Sequence, residues 1–210
     1  MKIKDFYKNE EKLNAISHAI GILLAFMGSL LLISKVGLDS GYATISVIIY
    51  SISLLLLFSA STIYHSVTIP HLKNRFRILD HISIFALIAG TYTPVSMITL
   101  VDGNGWTILY VVWGIALFGT MFKLFYTGKL EFLSLLLYLL MGWLIVLDIE
   151  NLVAHTSARG LVFLALGGAF YTLGIFFYTY RRIPYNHLIW HLFVLGGAIS
   201  HWLYIYLDVV

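Results

Sequence analysis

The sequence contains no cysteine, only three prolines and few charged residues. Without cysteine the chain can form neither a disulfide nor a thiolate metal site, so any metal must be bound through histidine, carboxylate or water. Charged residues make up 11% of the 210 positions, less than half the fraction of about a quarter that is usual in soluble domains. The hydrophobic fraction is 60%. These values exclude an ordinary soluble domain and predict an integral membrane protein.

Apolar runs recur along the whole chain. A membrane-spanning helix needs about 20 mostly apolar residues, and seven segments reach or approach that length. The connections between them are short, so the sequence predicts an all-α bundle of seven spans that forms one membrane domain over residues 1–210. The predicted spans are Leu13–Ser34, Tyr42–His65, Asp80–Val101, Trp106–Phe122, Phe132–Leu147, Leu161–Tyr180 and His187–Leu207.

The basic residues are distributed unevenly between the two sides of this predicted bundle. The side that holds the N-terminus and every second loop carries all of the 13 Lys and Arg residues except Lys35 and Arg159. Because positively charged loops face the cytoplasm, we predict a cytoplasmic N-terminus and an external C-terminus in the plasma membrane. The net charge of +3 follows from this topology, so membrane lipid rather than nucleic acid is the predicted partner. The sequence identifies no soluble protein partner.

Histidines are concentrated at the predicted cytoplasmic ends of the spans. His187 and His191 are four residues apart, so they lie one turn apart on the same face of a helix. His65 ends the second span and Asp80 opens the third, at the same predicted depth. Three protein ligands and one open position are typical of catalytic zinc. We therefore predict that His65, His187 and His191 bind Zn²⁺.

Asp80 and Ser61 are the predicted catalytic residues beside this metal. Asp80 is expected to reach the metal through water and to accept a proton from that water. Ser61 lies one turn before His65, where it can support a ligand or hold a substrate oxygen. Simpler alternatives remain open: Asp80 can cap the third helix, Ser61 can bond to its own helix, and the histidines can face lipid headgroups.

Two further histidines have no assigned role. His18 opens the first span at the same predicted depth as the metal site. His201 lies ten residues beyond His191, about 15 Å further along the helix at 1.5 Å per residue. It is too distant to join the metal site and is expected either to pack within the bundle or to line a polar cavity.

Four ordered motifs cover essentially the whole chain. They are Glu11, Asn14 and His18 in a Glu-xx-Asn-xxx-His pattern, Ser61 and His65 in a Ser-xxx-His pattern, the stretch Leu79–Pro94, and His187-Leu-Ile-Trp-His191 followed by His201. Their order and spacing resemble the progestin and adipoQ receptor family, and the compact size resembles its bacterial haemolysin III branch.

The resemblance implies zinc near the cytoplasmic face, held by His65, His187 and His191, with Asp80 reached through water. The related alkaline ceramidases hydrolyse a lipid amide with the same residue types, whereas animal relatives are hormone receptors. The leading prediction is therefore a ceramidase-like, zinc-dependent hydrolase of lipid amide or ester bonds that acts from the inner leaflet. The alternatives are a non-enzymatic receptor or membrane-homeostasis protein with structural zinc and, third, a haemolytic pore-former.

Overall fold

A computed structural model describes residues 3–37 and 41–210 of the chain, with side chains from residue 9 onward. Within these residues, seven helical segments are long and apolar enough to cross a membrane. The prediction of a seven-span, all-helical membrane protein is confirmed, whereas the orientation of its termini stays a prediction. The segments are Asn9–Val36, Tyr42–Ser66, Pro70–Thr99, Gly105–Tyr126, Glu131–Ala154, Ala158–Thr179 and Asn186–Val209.

These segments are built from eight α-helices and three short irregular turns. Two π-helical turns, Val95–Thr99 and Ile205–Val209, extend the third and the last helix, and a 3₁₀ turn, Leu144–Asp148, interrupts the fifth span. The helices are α1 Ile3–Val36, α2 Tyr42–Ser66, α3 Pro70–Pro94, α4 Gly105–Tyr126, α5 Glu131–Gly142, α6 Ile149–Ala154, α7 Ala158–Thr179 and α8 Asn186–Tyr204.

Six of the helices form a ring in the order α1, α2, α3, α5, α7 and α8, which closes through contacts between α8 and α1. Helix α4 packs outside this ring, against α3 and α5. Small residues allow the backbones to approach closely: a Cβ atom at Gly90 of α3 would lie 2.2 Å from Ser53 Oγ of α2. The ring encloses a cavity, and none of the residues that line it comes from α4.

The third span begins earlier than predicted. Helix α3 starts at Pro70 rather than at Asp80, because proline has a fixed φ and needs no hydrogen-bond acceptor at the first helical position. Asp80 therefore lies almost three turns inside the helix at 3.6 residues per turn. The alternative that Asp80 caps this helix is wrong. The first turns of α3 carry basic residues, so the hydropathy of the sequence did not indicate that they belong to the third span.

The fifth span is broken, and Tyr92 of α3 bridges the break. Its hydroxyl donates to the carbonyl oxygen of Gly142 at 3.0 Å and accepts from the backbone N–H of Ile145 at 2.9 Å. Unpaired backbone groups are very costly in hydrocarbon, so a broken helix needs such partners. Tyr92 thereby lets α5 end at Gly142 beside the cavity.

Candidate metal site

Three histidine rings meet at the end of the bundle where α2 ends and α8 begins. The ring centroid of His65 lies 5.1 Å from that of His187 and 4.8 Å from that of His191, and the latter two are 4.8 Å apart. One nitrogen of each ring lies within 4.8 Å of the other two, a group that can hold a metal ion. Residues 126 positions apart in the chain, His65 and His191, are thus brought together.

The hydrogen bonds of His191 determine which of its nitrogens is free. Ser17 Oγ donates to the carbonyl oxygen of Asn14 at 2.8 Å, so the Ser17 oxygen is left as an acceptor. His191 Nδ1 lies 3.2 Å from Ser17 Oγ and 3.2 Å from the Asn14 oxygen. Because a carbonyl oxygen can only accept, Nδ1 carries the proton. The lone pair of His191 is therefore on Nε2, which is the nitrogen available to a metal.

His65 is oriented in the same way by an acidic residue. Its Nδ1 lies 3.2 Å from Glu11 Oε2, and that oxygen also accepts from Lys73 Nζ at 2.5 Å. A carboxylate that accepts from Nδ1 leaves the lone pair on Nε2, the arrangement that second-shell carboxylates impose on metal-binding histidines. His65 Nε2 is buried and has no hydrogen-bond partner among the described residues. A buried, unpaired imidazole nitrogen fits a metal ligand.

Asp80 and Ser61 line the same cavity as the three histidines. The Asp80 carboxyl lies near the His65 ring and beside the Ser61 hydroxyl, although Ser61 Oγ makes no hydrogen bond of good geometry to any described residue. Ser61 is therefore not bonded back to its own helix. Asp80 is outside the group of three nitrogens. Its contact through water and the catalytic roles of both residues stay predictions.

His18 joins the cluster as a fourth imidazole that the sequence did not assign. Its ring stacks on His191 with centroids 3.8 Å apart and an angle of 14° between the planes. The side chain is 3% exposed, and neither ring nitrogen has a hydrogen-bond partner among the described residues. The available signal was the sequence pattern that places Glu11, Asn14 and His18 on one face of α1. In the structure, the Glu11 carboxylate contacts His65 and the backbone carbonyl of Asn14 contacts His191.

The cavity around this cluster has a volume of about 710 Å³, within the range of about 300–1,000 Å³ that is usual for small-molecule sites. Its wall near the histidines includes acidic and basic side chains, among them Glu11, Arg77 and Arg181. Further inside, the wall is largely apolar. The apolar residues include Leu57, Ile84, Leu87, Ile88, Ile175 and Val194.

The fold and this cluster define a seven-span helical membrane protein with a three-histidine group at one end. The sequence matches the family model described as "Haemolysin-III related" over residues 6–202. The chain therefore belongs to the haemolysin III family. The predicted resemblance to the progestin and adipoQ receptor family and its haemolysin III branch is confirmed.

Similar proteins come from bacteria and from animals. The chain is 42% identical over 195 residues to "Hemolysin-3" of Bacillus cereus, covering 91% of this chain and 88% of that protein. It is 42% identical over 194 residues to the "Hemolysin-3 homolog" of Bacillus subtilis (strain 168), covering 92% and 91%. It is 31% identical over 207 residues to the human "Monocyte to macrophage differentiation factor", covering 94% and 85%.

Proposed function

We propose that the protein binds zinc through His65, His187 and His191 and hydrolyses an amide or ester bond of a membrane lipid. The observation that supports this most is the unpaired, buried Nε2 of His65 within a group of three imidazoles that shares a largely apolar cavity with Asp80. Imidazole suits several transition metals. Zinc is favoured because three histidines with room for a substrate are typical of catalytic zinc sites.

Each group in the cavity has a separate role in the proposed reaction. Zinc, when bound, acts as a Lewis acid and makes water easier to deprotonate. Asp80 accepts a proton from the attacking water, whose oxygen forms a bond to the carbonyl carbon. The same proton passes to the leaving nitrogen or oxygen as its bond to that carbon breaks. Ser61 hydrogen-bonds a substrate oxygen, and the apolar wall holds the acyl chain.

The site is proposed to face the inner leaflet of the plasma membrane. The basic residues predict that the end of the bundle with the three histidines lies on the cytoplasmic side. The substrate then enters from the bilayer, with its polar head at this level and its chain within the ring of helices. A lipid amide of the ceramide type has both of these parts.

The test is release of fatty acid from candidate lipid amides and esters by the purified protein in liposomes. We expect turnover that a chelator abolishes and that zinc restores. Asp80→Asn should lower the rate by about 10²- to 10⁴-fold, the usual contribution of a general acid–base group, with zinc content unchanged. Asp102→Asn, the same change in an exposed loop, is the matched control. Equal rates for the two variants would contradict the role of Asp80.

A second function is favoured by the way the cluster connects the helices. His65 lies on α2, His187 and His191 lie on α8, and their hydrogen-bond partners Glu11 and Ser17 lie on α1. Zinc bound there would join three spans and add its binding free energy to folding. A receptor or membrane-homeostasis protein with structural zinc would lose thermal stability on zinc removal and show no turnover of any lipid.

Lysis by pore formation is the third candidate, which the names of the bacterial relatives suggest. It predicts release of a trapped dye from liposomes in proportion to the amount of protein. Dye release by the wild-type protein without fatty acid release would favour lysis over hydrolysis.

A further inference from the structure

The cavity continues well beyond the three histidines, along one face of α8. His187, His191, Val194 and His201 all line it, and their successive spacings of four, three and seven residues place them on one side of the helix. His201 is ten residues beyond His191, about 15 Å further into the bundle. The cavity therefore has a second, distal end.

Two polar side chains at the distal end occupy spaces made by glycines in the facing helices. A Cβ atom at Gly167 of α7 would lie 2.0 Å from the His201 ring, and one at Gly197 of α8 would lie 2.8 Å from the Tyr171 ring. The His201 and Tyr171 ring centroids are 5.5 Å apart. The two glycines thus position both polar rings side by side in the α7–α8 seam.

The hydrogen-bonding capacity of this pair is only partly used by the protein. His201 Nε2 lies 3.3 Å from the carbonyl oxygen of Leu164, so Nε2 is the donor and Nδ1 is left as an acceptor. Among the described residues, neither His201 Nδ1 nor the Tyr171 hydroxyl has a hydrogen-bond partner. Both residues line the cavity, so these groups are open to a ligand there, and ionisable side chains within membrane spans are usually retained for a function.

Apolar side chains form much of the wall between the two ends of the cavity. Leu87 and Ile88 of α3, Ile175 of α7 and Val194 of α8 contribute to it. A ligand that matches the cavity therefore has a polar head, an apolar stretch and a second polar group. A hydroxyl suits the distal end best, because it can donate to His201 Nδ1 and accept from the Tyr171 hydroxyl at the same time.

We propose that Tyr171 and His201 form a distal subsite that binds the hydroxyl of a mid-chain hydroxylated acyl lipid whose polar head lies at the three-histidine cluster. The ligand class is an acyl chain with a hydroxyl about 15 Å from its head, by the rise of α8. This inference rests on the proposed function only in placing an acyl lipid in the cavity, and it requires no hydrolysis.

The experiment measures displacement of radiolabelled stearic acid from the detergent-solubilised, zinc-loaded full chain. The competitors are unlabelled stearic acid and a series of its monohydroxy isomers, in which the hydroxyl moves along the chain. A mid-chain isomer should bind about tenfold more tightly than stearic acid, the value of one or two net hydrogen bonds. Isomers with the hydroxyl beside the carboxyl group or at the chain end should gain nothing.

Two variants test whether the distal subsite causes the preference for a mid-chain hydroxyl. Tyr171→Phe removes only the hydroxyl and should abolish the preference while leaving the affinity for stearic acid and the thermal stability unchanged. Tyr204→Phe is the matched control, because Tyr204 is fully buried, is not among the residues lining the cavity, and its hydroxyl lies beside Thr156 rather than Tyr171. It should retain the preference.

Equal binding of stearic acid and all hydroxy isomers would overturn the distal subsite while leaving the proposed lipid site intact. A preference that survives in both Tyr171→Phe and His201→Gln would also overturn it, because the selectivity would then arise elsewhere. Failure of every acid to bind would overturn the subsite together with the acyl-lipid occupant of the proposed function. Binding without hydrolysis of any lipid would contradict the proposed function alone.

Discussion

Two polar clusters at the same end of the bundle differ in how the protein satisfies them. In the first, the ionic network, Lys123 is completely buried and its Nζ lies 2.9 Å from Glu131 Oε2. The other Glu131 oxygen accepts from the backbone N–H of Gly128 at 3.0 Å, and His81 Nδ1 and Arg77 lie 3.7 and 3.9 Å from this carboxylate. In the second, the three-histidine cluster, His65 Nε2 has no partner among the described residues.

The difference separates a structural cluster from one that can bind a ligand. Opposite charges in the ionic network compensate each other and connect α3, α4 and α5, so nothing further is needed to make its burial tolerable. The three-histidine cluster presents lone pairs to a cavity and has no acidic group within its own set of three ligands. A cation at that point would satisfy it. Burial of polar groups alone therefore does not identify a site, whereas an unpaired ring nitrogen within a group of three imidazoles beside a cavity does.

The largest effect is expected from removing two imidazoles of the three-histidine cluster. His187→Ala with His191→Ala leaves one ligand, and zinc content should fall from one ion per chain to none. Elemental analysis of the purified protein measures this. The control replaces two exposed histidines, His71 and His155, with alanine and should retain the ion. Zinc retained by the first variant would show that the metal site lies elsewhere.

Breaking the ionic network should change stability and leave metal binding intact. Lys123→Met leaves the Glu131 carboxylate without its partner and should cost about 1–3 kcal/mol, below the range for a fully buried pair, because the Glu131 side chain is 29% exposed. The double variant with Glu131→Leu should recover most of the loss. Unfolding in denaturant measures both. A fall in zinc affinity in either variant would mean that the two clusters are coupled.

A smaller effect is expected when the acidic partner of His65 is neutralised. Glu11→Gln keeps an acceptor near His65 Nδ1 but removes the charge, so zinc affinity should fall about tenfold, the lower end of the range for second-shell substitutions. Competition with a chromogenic chelator measures the affinity. Glu150→Gln, in an exposed position, should not change it. An unchanged affinity in Glu11→Gln would contradict the orienting role of this carboxylate.

The smallest effect concerns the partner of His191. Ser17→Ala removes one acceptor from Nδ1, while the carbonyl oxygen of Asn14 remains. Zinc affinity should therefore fall only about threefold, less than the value of a full hydrogen bond. Ser29→Ala is the control, since Ser29 Oγ donates to the carbonyl oxygen of Ala25 within α1. A loss as large as that in Glu11→Gln would mean that Ser17, rather than Asn14, orients the ring.

Several features were predictable from the sequence because they depend on local pattern. Seven apolar runs predicted seven spans, since the thickness of a bilayer sets the length of a helix that crosses it. The four-residue spacing of His187 and His191 predicted a shared helix face. The distribution of basic residues placed the end of the second span and the start of the seventh on the same side of the membrane. It therefore predicted that His65 lies at the same depth as His187 and His191.

Other features depend on how each helix is rotated about its axis and which neighbour it faces. The stacking of His18 on His191, the contact of Glu11 with His65 and the pairing of Lys123 with Glu131 join residues from different helices, so no spacing within one helix predicts them. Asp80 was misplaced within its helix because basic residues mask the start of α3. Packing alone decided these contacts, because hydropathy specifies the depth of a residue in a membrane and leaves its direction open.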